Sequence, residues 1–265
     1  MKLQTGKKAL LVASFGTSRA ATRPLTVEAV EDDLRRAFPK RSFYRAWTSC
    51  MLRRKLEREE GVSIDSVAEA LQRMLAEGVS DVLVQPTHLL PGDEFRRTEE
   101  AVRAFAGRFR ALALGRPLLA GESDVKTLAR IVEEACPTDE GELLVLMGHG
   151  SAGLAFPVYA ELERQFRADG HPRVCVGTVE FEPGIAPVLA RIRQERPRRV
   201  LLAPLLAVAG EHVMNDMAGD GPDSWKNQIA REGPEVACRL TGLAELAAVR
   251  ELYVRHARAA QAVTV

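Results

Sequence analysis

The sequence predicts an α/β protein made of two similar halves, each a parallel sheet with helices on both faces. Three observations predict it. Short apolar runs of strand length recur along the chain. Each is followed by a longer segment with helical spacing. One strand-to-turn pattern occurs twice, with matching positions a constant distance apart. Strands that alternate with helices imply parallel β-α units.

Ala9-Leu10-Leu11-Val12-Ala13 is the first strand. Lys2, Lys7 and Lys8 precede it and give it the superficial look of a signal peptide. The run enters Ser14-Phe15-Gly16-Thr17-Ser18 without a small-residue cleavage site, so a buried strand is expected instead. Val27 to Phe38 reads as its helix, stopped by Pro39. Phe43 to Trp47 is the second strand. Val67-Ala68, Leu71 and Met74-Leu75 mark a helix closed by Gly78. Val82-Leu83-Val84 and Leu112-Ala113-Leu114 complete the first half. Glu142 to Met147, Val174 to Gly177, Val200 to Ala203 and Val236 to Leu240 supply the strands of the second.

The repeat is specific. Pro86 and Pro204, Gly92 and Gly210, and Glu94 and His212 are each 118 positions apart. The first strands match as Gly16 with Gly150, 134 apart, and the second strands as Ser49 with Glu180, 131 apart. Loop insertions and deletions account for the drift. The expected domains are residues 1–121 and 122–245, with a last helix at about 246–262 returning to the first.

Composition narrows the function. The 37 basic and 36 acidic residues leave a net charge of +1, against a nucleic-acid binder. No apolar run approaches the roughly 20 residues that span a bilayer. Cys50, Cys136, Cys175 and Cys238 are scattered with no Cys-x-x-Cys pair, against a disulfide framework or a thiolate zinc site. A reducing cytoplasm is the expected setting.

In parallel α/β sheets, ligands bind beyond the carboxyl ends of the strands. The repeat places Phe15, Ser49 and Glu94 there in the first half, and His149, Glu180 and His212 in the second. Two imidazoles and a carboxylate suit a borderline divalent metal. Glu180 is preferred to Glu94 as the carboxylate because it shares a half with both histidines. The bland readings are a packed turn histidine for His149 and a helix cap for Glu180. His171 and His256 read as surface residues, and His88 as rim or packing. Ser14, Gly16, Thr17 and Ser18 could cradle an anion at a helix start. Asn215 to Lys226, with Trp225, reads as a surface loop or a lid beside His212. There is no P-loop.

These residues resemble the anaerobic sirohydrochlorin cobaltochelatases of the CbiK type, class II chelatases. The resemblance runs over nearly the whole chain: KKALLVASFGTS (Lys7 to Ser18), Thr48-Ser49 with Met51, Arg54-Lys55-Leu56, Gly92-Asp93-Glu94, MGHG (Met147 to Gly150), Val179-Glu180 and AGEHVMNDMAGD through DSWK (Ala209 to Lys226). It implies two flavodoxin-like or Rossmann-like domains with the substrate in the cleft between them. It also implies insertion of Co2+ into sirohydrochlorin, without ATP, on the anaerobic cobalamin route. The family's functional histidines fall on His149 and His212, and its metal-site glutamates on Glu94 and Glu180. His149 would serve as ligand and catalytic base. Ser14 to Ser18, with Arg53 or Arg54, would meet the substrate carboxylates. Further histidines often follow the family's GHG, where Ala152-Gly153-Leu154 stand here. A small residue and an aromatic usually follow its VE, where Phe181-Glu182 stand here.

The resemblance implies no tightly bound cofactor, with Co2+ as the substrate metal. The rivals are a chelatase for Fe2+ or Ni2+, a non-catalytic tetrapyrrole or metal carrier, and a flavodoxin-like protein holding FMN on the Ser14–Ser18 loop. The sequence fixes neither the physiological metal nor whether the chain forms a homo-oligomer.

Overall fold

The computed structural model of the chain describes residues 6–151 and 157–264; Ala152, Gly153 and Leu154 lie outside them. The chain divides into two compact units. One holds the described residues through Ala120 together with those from Arg250 onward, and the other is Gly121–Val249.

In the first unit the elements are β1 (Lys7–Ser14), α1 (Val27–Ala37), β2 (Ser42–Trp47), α2 (Cys50–Glu60), α3 (Val67–Ala76), β3 (Val79–Pro86), α4 (Asp93–Arg103) and β4 (Ala111–Leu114). The second unit has α5 (Glu122–Ala135), β5 (Glu142–Gly148), α6 (Val158–Ala168), β6 (Val174–Thr178), α7 (Ala186–Glu195) and β7 (Arg199–Leu205). A π-helical turn (His212–Met217), α8 (Trp225–Ala230), β8 (Glu235–Cys238) and a short 3-10 turn (Leu243–Glu245) follow. α9 (Ala247–Arg258) and β9 (Gln261–Ala262) carry the chain back into the first unit. No helix among the described residues is long and apolar enough to cross a membrane.

The sheets share one strand order. It is β2-β1-β3-β4-β9 in the first unit and β6-β5-β7-β8 in the second, with all pairings parallel except β4 to β9. The register repeats as well. Ala13 pairs with Ala46 and Pro86, and its counterpart Met147 pairs with Gly177 and Pro204. Apolar side chains decide this. The central strands β1 and β5 are covered on both faces and read as continuous apolar runs, Ala9–Ala13 and Leu143–Met147, all nearly inaccessible.

Local signals place the helices. α3 starts on a capping box in which the Ser66 hydroxyl accepts from the Glu69 N–H while the Glu69 carboxylate accepts from the Ser66 N–H. It buries Val67, Ala70, Leu71 and Met74, the spacing of one helical face.

Four expectations need correction. A fifth strand, β9, pairs with β4, because the chain beyond α9 lies along that edge. His256 is buried, not a surface residue: it falls three, four and seven positions after Tyr253, Leu252 and Val249, on the packed face of α9. Ser14 to Ser18 do not open a helix, since turns intervene before α1 begins at Val27. The stretch from Asn215 is no loop in its first part. It continues the π-helical turn, and Trp225, buried among Val188, Ile192 and Ile229, is a core residue at the start of α8.

Candidate metal centre

Three parallel β-α connections of the second unit build the centre. β5, buried along its whole length, delivers His149 at the first position past its end. The chain must turn there. Gly150 takes a φ of 92°, and a Cβ on it would collide with the carbonyl oxygen of Glu180. Glycine is required for the angle and for the close approach. The Gly150 N–H donates to the Tyr159 hydroxyl at 3.0 Å, and burial pushes that phenol up to about 12.

Glu180 lies two residues past β6. Its backbone N–H donates to the His149 carbonyl oxygen at 2.8 Å, and the Val179 N–H donates to the Gly148 carbonyl at 2.9 Å. The first unit makes the same pair of bonds, from Ser49 to Phe15 and from Thr48 to Ser14. The side chains diverge from there. Ser49 caps α2, accepting from the Leu52 N–H at 3.3 Å. In the second unit α7 is delayed to Ala186, so Glu180 caps nothing and its carboxylate is left for other work.

His212 opens the π-helical turn after β7. Such turns occur mostly as single insertions and frequently at functional sites. The Met214 N–H donates to the Gly210 carbonyl, as the Arg96 N–H does to Gly92 in the first unit. The repeat thus extends to this connection.

Among the described residues, His149, Glu180 and His212 form a group whose ligand atoms lie within 4.8 Å of one another. His149 Nε2 is 3.9 Å from Glu180 Oε2, and the two imidazole rings stand 5.0 Å apart at 84°. Ligands on one ion at about 2.0–2.2 Å stand roughly 3.4 Å apart in a tetrahedron, so side-chain shifts of about 1 Å close the set. The second nitrogens are already committed. His149 Nδ1 lies 3.0 Å from the Gly150 carbonyl oxygen, and His212 Nδ1 lies 2.7 Å from Asp216 Oδ2. Both partners are acceptors, which assigns the proton to Nδ1 and leaves each Nε2 lone pair for a metal. All three ligands are partly exposed, so an ion held there keeps open positions.

The other sequence candidates lie in the first unit. Glu94 sits in the first turn of α4, where its carboxylate accepts from Arg97 at 2.7 Å. Ser14 is buried and its hydroxyl accepts from Thr87 at 2.9 Å. The buried Thr17 hydroxyl accepts from the Arg19 N–H at 3.2 Å. Gly16 takes a φ of 97°. Ser18 accepts from Lys55 Nζ at 3.3 Å, and Arg53 bonds Glu69 at 3.0 Å. His88 is buried. Its Nε2 is 3.5 Å from the Thr48 hydroxyl, its Nδ1 has no hydrogen-bond partner among the described residues, and burial pushes it down to about 4.

Sequence reasoning missed Asp216 and Tyr159. Asp216 had a signal, lying four residues after His212, a spacing that brings two side chains together on one helical face. Tyr159 had none, since its contact crosses from α6 to the turn after β5.

The family model described as "Cobalt chelatase (CbiK)" matches residues 8–262. Sirohydrochlorin cobaltochelatase of Salmonella typhimurium is 39% identical over 251 residues, covering 94% of this chain and 95% of that protein. Sirohydrochlorin cobaltochelatase CbiKC of Nitratidesulfovibrio vulgaris is 33% identical over 259 residues, covering 96% and 90%. Among solved structures, SirB from Bacillus subtilis with Fe3+ aligns with a TM-score of 0.65 at 15% identity, over 95% of this chain and 94% of that one. CbiX, described as the terminal enzyme for biosynthesis of siroheme in denitrifying bacteria, aligns with a TM-score of 0.54 at 19% identity, over 96% and 100%. At these identities the structural matches establish the fold.

Proposed function

Because the chain belongs to the cobalt chelatase (CbiK) family, we infer that it is a metal chelatase that inserts Co2+ into sirohydrochlorin, without ATP, in anaerobic cobalamin synthesis. The observation that carries the chemistry is the convergence of His149, Glu180 and His212, two imidazoles and one carboxylate. That set suits a divalent transition ion delivered as substrate. It contains no thiolate, so the ion is held loosely enough to be passed on.

Insertion replaces two pyrrole N–H protons with one Co2+. The macrocycle nitrogens displace the protein ligands, and each ligand released becomes a base beside the bond that must lose its proton. An imidazole is a suitable acceptor near neutral pH. His149 Nε2 takes the first proton, while its Nδ1–H stays on the Gly150 carbonyl. Glu180, 3.9 Å away, is placed to take the second. His212, braced by Asp216, keeps the role of ligand. For the acidic periphery of the macrocycle we assign the Ser14–Ser18 turn, where Ser18 already engages a cation, Lys55. Four free cysteines, two of them buried, support a reducing cytoplasmic setting.

The test is a comparison of purified protein with sirohydrochlorin and Co2+, Fe2+ or Ni2+, followed by absorbance over time. The inference expects Co2+ insertion well above the uncatalysed rate. A carrier would bind the macrocycle and leave the rate at background, and a preference for Fe2+ or Ni2+ would reassign the metal.

A further inference from the structure

Phe181, the residue after Glu180, combines two features that a side chain without a task does not keep. Its backbone sits at a φ of 61°, in the left-handed region that glycine and asparagine occupy readily and a bulky side chain does not. Its ring is not repaid by burial, because the residue is 56% exposed. In a core, an aromatic ring can offset such strain; on the surface it cannot.

The surrounding chain enforces the conformation. The buried Thr178 hydroxyl donates to the Phe181 carbonyl oxygen at 2.9 Å and accepts from the Gly184 N–H at 3.2 Å, clamping the loop between β6 and α7. The ring leans on the turn that carries His149: its Cδ2 lies 3.3 Å from where a Cβ on Gly150 would stand. A strained, clamped residue therefore holds an aromatic face in solvent beside a centre of polar ligands. Strain of this kind concentrates at functional sites.

We propose that the Phe181 ring is a contact surface for the conjugated face of the tetrapyrrole, guiding the macrocycle over the ion held by its neighbour Glu180. The proposal rests on the tetrapyrrole reading above. A flat π system is the ligand chemistry an exposed ring recognises, by offset stacking or edge contact. Phe181 would then govern the affinity for the macrocycle and leave the affinity for the ion alone.

Phe181→Asn and Phe181→Gly remove the ring while suiting the left-handed backbone, and Phe181→Tyr keeps the ring. Three quantities are read for each: melting temperature, Co2+ affinity in the absence of tetrapyrrole, and binding of metal-free sirohydrochlorin by absorbance titration. KM and kcat for insertion are added for the active protein. Asn and Gly are expected to melt at or above the parent temperature and to hold Co2+ within about twofold of it. They should bind sirohydrochlorin about tenfold more weakly, with KM rising in step, whereas Tyr should match the parent. Unchanged sirohydrochlorin binding in the folded Asn and Gly variants would overturn the proposal, as would an equal loss of Co2+ affinity. Because macrocycle binding is measured without turnover, a parent that binds sirohydrochlorin and inserts nothing sinks the chelatase reading and leaves the role of the ring decided by the titration.

Discussion

The backbone N–H of Glu180 donates to the carbonyl oxygen of His149 at 2.8 Å, so two of the three members of the candidate ligand group are tied together through the main chain. The equivalent bond from Ser49 to Phe15 in the first unit shows that it belongs to the shared β-α frame. Side-chain changes at these positions should therefore alter chemistry more than architecture.

His149→Ala is expected to remove cobalt insertion while leaving sirohydrochlorin binding largely intact. Loss of a general base alone typically costs ~10²–10⁴ in rate, and here a ligand goes with it. His212→Ala should act mainly by raising the Co2+ concentration needed for half-maximal rate. Parent-like rates in both variants across a Co2+ titration would show that the chemistry lies elsewhere.

Gly150→Ala should be far more damaging than its size suggests. The φ of 92° disfavours any side chain, and the new methyl would strike the Glu180 carbonyl. A loss of more than about 2 kcal/mol is expected, together with loss of Co2+ binding as the His149 and Glu180 segments are pushed apart. Denaturant titration and Co2+ binding, run on the same preparation, measure both. Alanine at Gly61, which also has positive φ but open space for a Cβ and belongs to the first unit, should leave Co2+ affinity unchanged.

Asp216→Asn keeps the shape of the partner 2.7 Å from His212 Nδ1 but removes its charge. Groups that orient a metal-binding histidine typically contribute 10–100-fold to affinity. Weaker Co2+ binding in that range is expected, with melting temperature and sirohydrochlorin binding near parental. Equal Co2+ affinities would reduce Asp216 to a surface contact.

His88 makes a prediction about acid stability. Burial pushes its imidazole down to about 4 in the folded protein, against about 6.5 in an unfolded chain. Between those values the unfolded state binds a proton that the folded state refuses, so stability falls as pH drops from about 6.5 to 4 and the loss levels off below that. The contribution is about 3 kcal/mol across the window. His88→Leu, which installs the residue found at the matching position, Leu206, should flatten this part of the stability curve. Denaturation midpoints for both proteins at pH 7 and pH 4.5 test it, and parallel curves would refute it.

Much of this was legible from the residues. The strands announced themselves because the sheets are covered on both faces, which leaves long apolar runs such as Leu143–Met147. The convergence of His149, Glu180 and His212 was legible because both units share one hydrogen-bonding frame, so a change from Ser49 to Glu180, or from Glu94 to His212, stands out against a matched background. What the sequence hid was tertiary. Trp225 sits in a polar, glycine-rich stretch, and only its packing on Val188 and Ile229 makes it core. His256 looked solvated because α9 carries charges on its other face, and Phe181 showed no sign of its left-handed backbone. Glu94 was reached from the repeat and from the family resemblance, and its carboxylate accepts from Arg97 in the first turn of α4.

The first unit is not continuous along the chain: it takes in α9 and β9 from beyond Arg250, with Tyr253 fully buried and its hydroxyl donating to the Thr87 carbonyl at 2.9 Å, and with Arg250 bonded to Asp33 at 2.7 Å. The second unit, Gly121–Val249, is a single uninterrupted stretch that contains every member of the ligand group. A ribosome usually releases domains in their order along the message. Here that order is reversed at the finish. The half that is begun first must wait, its sheet edge and its Tyr253 socket unfilled, until the residues after Arg250 have emerged, while the half that is begun second can close around its two imidazoles and carboxylate before then.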